Sequence, residues 1–240
     1  MKKDLYNFHY RGIHVTIHRT FLLVLIWMII VNLLSGFSII GWIWSLIILF
    51  SLMASISIHD LAQAVVGTIC GISINRLIIM PIGGLPSIST PPKKGYYEIL
   101  MLAAGPVANL SIAALLTIFL HPYMAYWNEP GNIGVAYAGN FIFQLQFINL
   151  SLGLLNLLPC FPMDGGRALE VLLEKRLSSG KARQIVNLAS ILIALGFILN
   201  AIVIKKFPLL LVGFFIFFTI RKGRYYHPAE DKSDQLGALT

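Results

Sequence analysis

Two short segments carry the side chains best able to do chemistry. His59-Asp60-Leu61-Ala62-Gln63 lies near the end of one long apolar run, and Asp164-Gly165-Gly166 follows another, in Asn156-Leu157-Leu158-Pro159-Cys160-Phe161-Pro162-Met163-Asp164. On a helix, residues at i and i+4 lie one turn apart on the same face, so positions 59 and 63 can turn two donors towards one point. A third donor from another helix completes the arrangement of a catalytic metal, and Asp164 can supply it. In the H-E-x-x-H pattern two imidazoles hold zinc, and the carboxylate after the first acts as general base on a metal-bound water. This chain reads H-D-x-x-Q.

Those residues must be positioned by membrane helices. Of 240 residues, 57% are hydrophobic and 12% charged, against about a quarter charged in a soluble domain. Apolar stretches run over about 20–35, 38–66, 98–120, 133–158, 184–204 and 207–220. The expectation is an all-α polytopic membrane protein of about six transmembrane helices, the last short for a span of about 20 residues. Lys2, Lys3, Arg11 and Arg19 before the first stretch resemble a signal-peptide n-region, but no small-residue cleavage site follows, and the stretch is read as a retained helix. Residues 1–19 are expected to form a cytoplasmic arm, 20–220 the membrane domain, and 221–240 a polar, disordered tail.

Of the eighteen Lys and Arg residues, all but Lys205 and Lys206 fall in the arm, the 67–97 loop, the 160–183 loop and the tail. Positive residues near helix ends stay on the cytoplasmic side, so both termini are expected there, in a multi-pass protein of the cell membrane. The pI near 9.6 then reflects contact with the lipid bilayer. No basic face interleaved with aromatics supports nucleic acid as a partner. Cys70 and Cys160 lack a paired spacing and read as small buried hydrophobes.

Between the second and third stretches, Ile72 to Met80 followed by Gly83-Gly84 and Pro86 reads as a short β-hairpin or re-entrant loop. Its edge would capture an unwound substrate strand, or it would simply plug the bundle. Ala104, Gly105 and Ala108 form a small-residue patch for close packing, with Pro106 adding a kink and Asn109 a polar contact. Asn140, Gln144, Gln146 and Asn149 make the fourth stretch polar, which an internal cavity or packing hydrogen bonds would explain. Residues 160–183 read as one cytoplasmic amphipathic helix opened by Gly165-Gly166. His14 and His18 lie in an alternating segment that reads as a short strand, with a ligand role for His18 as the alternative.

Taken together, Ile82-Gly83-Gly84-Leu85, the Ala104-Gly105-Pro106-Val107-Ala108-Asn109 segment and the N-x-x-P followed by D-G from Asn156 to Gly165 give the chain a specific resemblance. It resembles the site-2 proteases, the intramembrane zinc metalloproteases of peptidase family M50, in their compact six-span form, over residues 10–220. The resemblance implies zinc held by His59 and Asp164 with position 63 as the second histidine, Asp60 at the position of the general base, and Gly83, Gly84 and Asn156 contacting substrate. The sequence departs from that pattern at 60 and 63. Asp60 is one methylene shorter than Glu, withdrawing its oxygens by about 1.5 Å. Gln63 offers only a neutral, hard amide oxygen in place of an imidazole, which makes zinc binding doubtful.

Three function classes follow. The first is a site-2-protease-like protein that engages transmembrane segments of other proteins with impaired or absent hydrolysis, a pseudoprotease. The second is an active zinc endopeptidase that cuts membrane-spanning substrates near the cytoplasmic face. The third, a small transporter, is disfavoured because neither an inverted repeat nor paired broken helices are visible.

Overall fold

The polarity of the helices is inverted relative to a soluble protein. In the computed structural model the second helix buries Ser55, Ile56, His59, Asp60, Gln63 and Ala64, while Ile58, Leu61, Val65 and Ile69 on its other faces are exposed. Water would penalise that arrangement at every outward turn. A hydrocarbon solvent favours it, because the polar side chains find partners only inside.

The structure describes residues 4–10, 13–18, 20–34, 36, 38–72, 74–79, 85–88, 95–120, 133–205 and 207–221. Their order is β1 (Asp4–Tyr10), β2 (Ile13–His18), α1 (Thr20–Leu34), α2 (Ile39–Ile69), β3 (Ile74–Ile79), β4 (Leu85–Ile88), α3 (Gly95–Leu120), α4 (Ile133–Leu157), α5 (Asp164–Glu174), α6 (Ser179–Val203) and α7 (Phe207–Arg221). Among the described residues, four helices are long and apolar enough to cross a membrane: α2, α3 over Gly95–Ile118, α4 over Ala138–Leu157, and α6. α1 and α7 have 15 residues each, about 22 Å at 1.5 Å per residue, against a hydrocarbon core of about 30 Å.

Two compact units divide the chain. The first takes the described residues within Met1–Val65, Ile74–Ser87 and Ala104–Leu154. Its sheet has the order β1-β2-β3-β4. β1 and β2 are antiparallel with His9 opposite His14, and β2 and β3 are parallel with His14 opposite Arg76. A parallel pair needs a long crossover, and α1 and α2 provide it. The segment expected to be a strand around His14 and His18 is β2. β1 lacks a sequence signal of comparable strength, since Asp4 to Tyr10 mixes polar and aromatic residues without clean alternation.

Helix contacts in this unit combine polar side chains, an aromatic pair and a glycine pressed against a larger side chain. Asn32 on α1 donates to the Ser45 hydroxyl on α2 at 2.9 Å. Trp44 on α2 meets Phe141 on α4 edge to face, with ring centroids 6.4 Å apart. Gly153 on α4 presses against Leu110 and the Pro106 carbonyl of α3, where a Cβ would lie 2.6 Å from Leu110 Cγ. Of the polar residues on α4, Asn149 is buried and Gln146 donates to Thr117 Oγ1 on α3 at 2.8 Å. These are packing hydrogen bonds, one of the two explanations for a polar fourth stretch.

The second unit takes the described residues within Val66–Ser73, Ile88–Ala103 and Leu155–Thr240. The amphipathic segment at 160–183 is not one helix. α5 stops at Glu174, and a new helix, α6, starts at Ser179 and continues into the apolar run. Ser178 stands at the N-cap position in extended conformation, with no side-chain cap hydrogen bond. Arg167 on α5 reaches Glu98 on α3 at 3.9 Å. Ser190 on α6 accepts the Phe161 N–H at 2.8 Å and donates to the Val186 carbonyl, tying the α4–α5 connection to α6. Cys160 is buried in that connection, and burial pushes its thiol up to about 11.

Gly213 on α7 sits where a Cβ would lie 2.6 Å from Ile198 Cγ1 and 3.0 Å from the Ala194 carbonyl, whereas a Cβ on Gly196 would meet nothing within 4 Å. Gly213→Ala is therefore expected to cost about 1–3 kcal/mol by overpacking. Gly196→Ala is expected to gain about 0.5–1 kcal/mol from helix propensity. Thermal unfolding of both variants in detergent checks the opposite signs.

Candidate functional site

Ser55, His59 and Gln63 are spaced by four on α2 and lie on its buried stripe. The imidazole of His59 rests against Gly105 of α3, where a Cβ would come within 2.6 Å of three ring atoms. Only glycine allows that approach. One turn further along α3, Asn109 Oδ1 is 2.7 Å from His59 Nδ1, and on the ring's other side Gln63 Nε2 is 3.2 Å from His59 Nε2.

The direction of each hydrogen bond follows from groups with a single role. A backbone carbonyl only accepts, so Asn109 Nδ2 donates to the Ser55 carbonyl at 3.3 Å, and it also donates to Asn149 Oδ1 at 2.8 Å. Asn109 Oδ1 then faces the ring as an acceptor, and His59 Nδ1 must carry the proton. The Nε2 of the neutral imidazole keeps its lone pair, which accepts the Gln63 amide N–H. Asn149 in turn donates to the Leu145 carbonyl at 2.9 Å and to Ser55 Oγ at 3.0 Å. His59, Asp60, Gln63, Asn109 and Asn149 are all buried, so protein groups rather than solvent decide these orientations.

Comparison with known proteins gives this arrangement a family. Residues 123–197 match Peptidase family M50. The chain is 30% identical over 218 residues to zinc metalloprotease MJ0392 of Methanocaldococcus jannaschii, covering 91% of this chain and 60% of that protein. It is 28% identical over 179 residues to Rip3 of Mycobacterium tuberculosis, covering 71% of this chain and 44% of that protein. The solved structure of the site-2 protease from Methanocaldococcus jannaschii matches 92% of this chain and 97% of its own, with a TM-score of 0.70 at 28% identity. The chain belongs to the site-2 protease family.

Zinc is the metal of this family. A metal-ligating imidazole almost always donates its other ring N–H to an acceptor that fixes the tautomer, and His59, with Nδ1 held by Asn109 Oδ1, has that form. The rest of the cluster does not fit a catalytic zinc. The lone pair that would bind the metal accepts an amide N–H, and the group one turn along offers zinc only an amide oxygen. No group of three or more His, Cys, Asp or Glu side chains suited to a metal occurs among the described residues.

The structure brings His59, Asp60 and Gln63 together on α2 of the first unit. Asp164 and Asn156 belong to the second unit and both are buried. Asp164 is the first residue of α5, where the helix dipole favours a carboxylate. Gly165 and Gly166 allow that first turn to press on the preceding backbone: Cβ atoms there would meet the Leu157 and Leu158 carbonyls and the Cys160–Phe161 peptide. Asn156 lies in the last turn of α4. Gly83 and Gly84 lie outside the described residues, as does the tail beyond 221.

Sequence reasoning missed Ser55 and the joint action of Asn109 and Asn149. The spacing of four from Ser55 through His59 to Gln63 was the available signal. Since the His59 ring lies in the groove left by Gly105, Gly105→Ala is expected to destabilise the site-2 protease fold by about 1–3 kcal/mol. Thermal unfolding in detergent checks it, with Ala108→Gly on the same helix as a comparison for propensity alone.

Proposed function

We propose that this site-2-protease-like membrane protein engages transmembrane segments of other proteins and that its hydrolysis is impaired or absent. The supporting observation is the Gln63 amide N–H on His59 Nε2, which occupies the lone pair that a metal would use. The chain spans 60% of the length of MJ0392 and 44% of that of Rip3, so activity, substrates and partners are proposals for this chain. His59, position 63 and Asp164 are proposed as the remnant of a ligand set, with Asp60 at the position of the general base. Asn156, Gly83 and Gly84 are proposed to contact a bound segment. Six spans in the cell membrane with both termini cytoplasmic fit the distribution of Lys and Arg.

An enzyme with Asp60 in place of Glu carries its base withdrawn by about one carbon–carbon bond, and a displacement of about 1 Å can cost roughly 100-fold in rate. Two changes thus act in series, one on metal affinity and one on proton transfer. An active endopeptidase is the competing outcome of the test below.

The purified chain, Gln63→His, and Gln63→His with Asp60→Glu are compared in detergent by zinc titration and by cleavage of a fluorescent transmembrane reporter peptide. The unaltered chain is expected to retain the peptide uncut. Gln63→His is expected to gain zinc, and the double variant to cleave roughly 100-fold faster than Gln63→His. Cleavage by the unaltered chain that a chelator abolishes would sink the proposal.

A further inference from the structure

We infer that Asn149, on α4 and two hydrogen bonds removed from the imidazole, is a positioning residue that sets the tautomer of His59. The carboxamide of Asn109 has two ends of nearly equal shape and opposite polarity, so its shape alone does not choose which end faces the ring. Two acceptors choose. The Ser55 carbonyl lies at 3.3 Å and Asn149 Oδ1 at 2.8 Å from Asn109 Nδ2, so the shorter bond belongs to Asn149.

Asn149 faces the same choice and has its own anchor. Its Nδ2 donates to the Leu145 carbonyl, one turn back on α4, at 2.9 Å. That acceptor-only group turns Asn149 Oδ1 towards Asn109, which turns Asn109 Oδ1 towards His59, which places the proton on Nδ1 and the lone pair on Nε2. Ser55 stands at both stages, accepting from Asn149 through Oγ and from Asn109 through its carbonyl. Reversing one amide would set like ends face to face among buried groups, so the members hold or turn together.

This inference deepens the reading of His59 as the retained ligand-type nitrogen, and its meaning for metal affinity rests on that reading. The tautomer itself does not depend on a bound metal. Ser55, Asn109 and Asn149 thus act on the reactive nitrogen through another residue and touch no reacting atom.

The test is 15N NMR of the full-length chain in detergent, labelled on histidine ring nitrogens, with the His59 signal assigned by its loss in His59→Asn. The unaltered chain is expected to show His59 in the Nδ1–H form. Asn149→Leu is expected to convert it to a mixture with the Nε2–H form, and Asn149→Ser, too short to reach Asn109, reads the same shift if the leucine variant does not fold. Gln146→Leu on the same helix should leave the signal unchanged. Asn109→Asp, acceptor-only towards the ring, should retain the Nδ1–H form that Asn109→Leu loses. An Nε2–H form in the unaltered chain, or an unshifted signal in a folded Asn149 variant, overturns the inference. In the Gln63→His background, Asn149→Leu is expected to weaken zinc binding about 10–100-fold. Absence of zinc from Gln63→His itself would count against the proposed function, while the tautomer readout would still decide the role of Asn149.

Discussion

The carbonyl of Ser55 can only accept a hydrogen bond, and the centre of the first unit is arranged around that restriction. Together with Asn149 Oδ1 it fixes one end of Asn109, which fixes the protonated nitrogen of His59, which fixes how Gln63 can approach. Buried polar groups are costly when unsatisfied and strong when satisfied, so such a chain of amides is stable only when every member agrees. It also requires α2, α3 and α4 to approach closely. Gly105 admits the imidazole and Gly153 admits Leu110; with larger residues the helices would stand too far apart for the side chains to reach. Packing and polarity here are one constraint.

The solvent enforces the same constraint from outside. Phe143, Phe147 and Leu154 on α4 and Leu188, Leu192 and Leu199 on α6 face outward, while Asn149 on α4 and Ser190 on α6 face inward. Lipid tails give helices no hydrophobic reason to associate, so small residues and interhelical hydrogen bonds carry the association. Ala182, Val186, Ser190 and Ala194, spaced by four along the buried side of α6, follow the same rule in the second unit.

The long apolar runs made the membrane helices legible, since length and hydrophobicity are properties of each segment alone. β2 was legible from its alternation, and the positions of His59, Asp60 and Gln63 on one helix from their spacing. The break between α5 and α6 was harder to see, because charged residues on both sides of Ser178 continue one amphipathic pattern. The relay from Ser55 to His59 was not legible at all. Asn109 and Asn149 were visible as polar residues in apolar runs, but which of their amide ends faces which partner depends on carbonyls brought near by folding. Gln63 is the instructive case: its type showed that a zinc ligand was replaced, and only the geometry showed its N–H turned onto the imidazole.

The central claim is that the Gln63 amide N–H takes the His59 Nε2 lone pair that a metal would use. Zinc content of the unaltered chain, expressed with zinc and purified in detergent, tests it most directly when measured by elemental analysis. Well below one zinc per chain, unchanged by Asp164→Ala, is the predicted result. One zinc per chain, lost on Asp164→Ala or His59→Ala, would contradict the claim and show Gln63 turned aside for a metal.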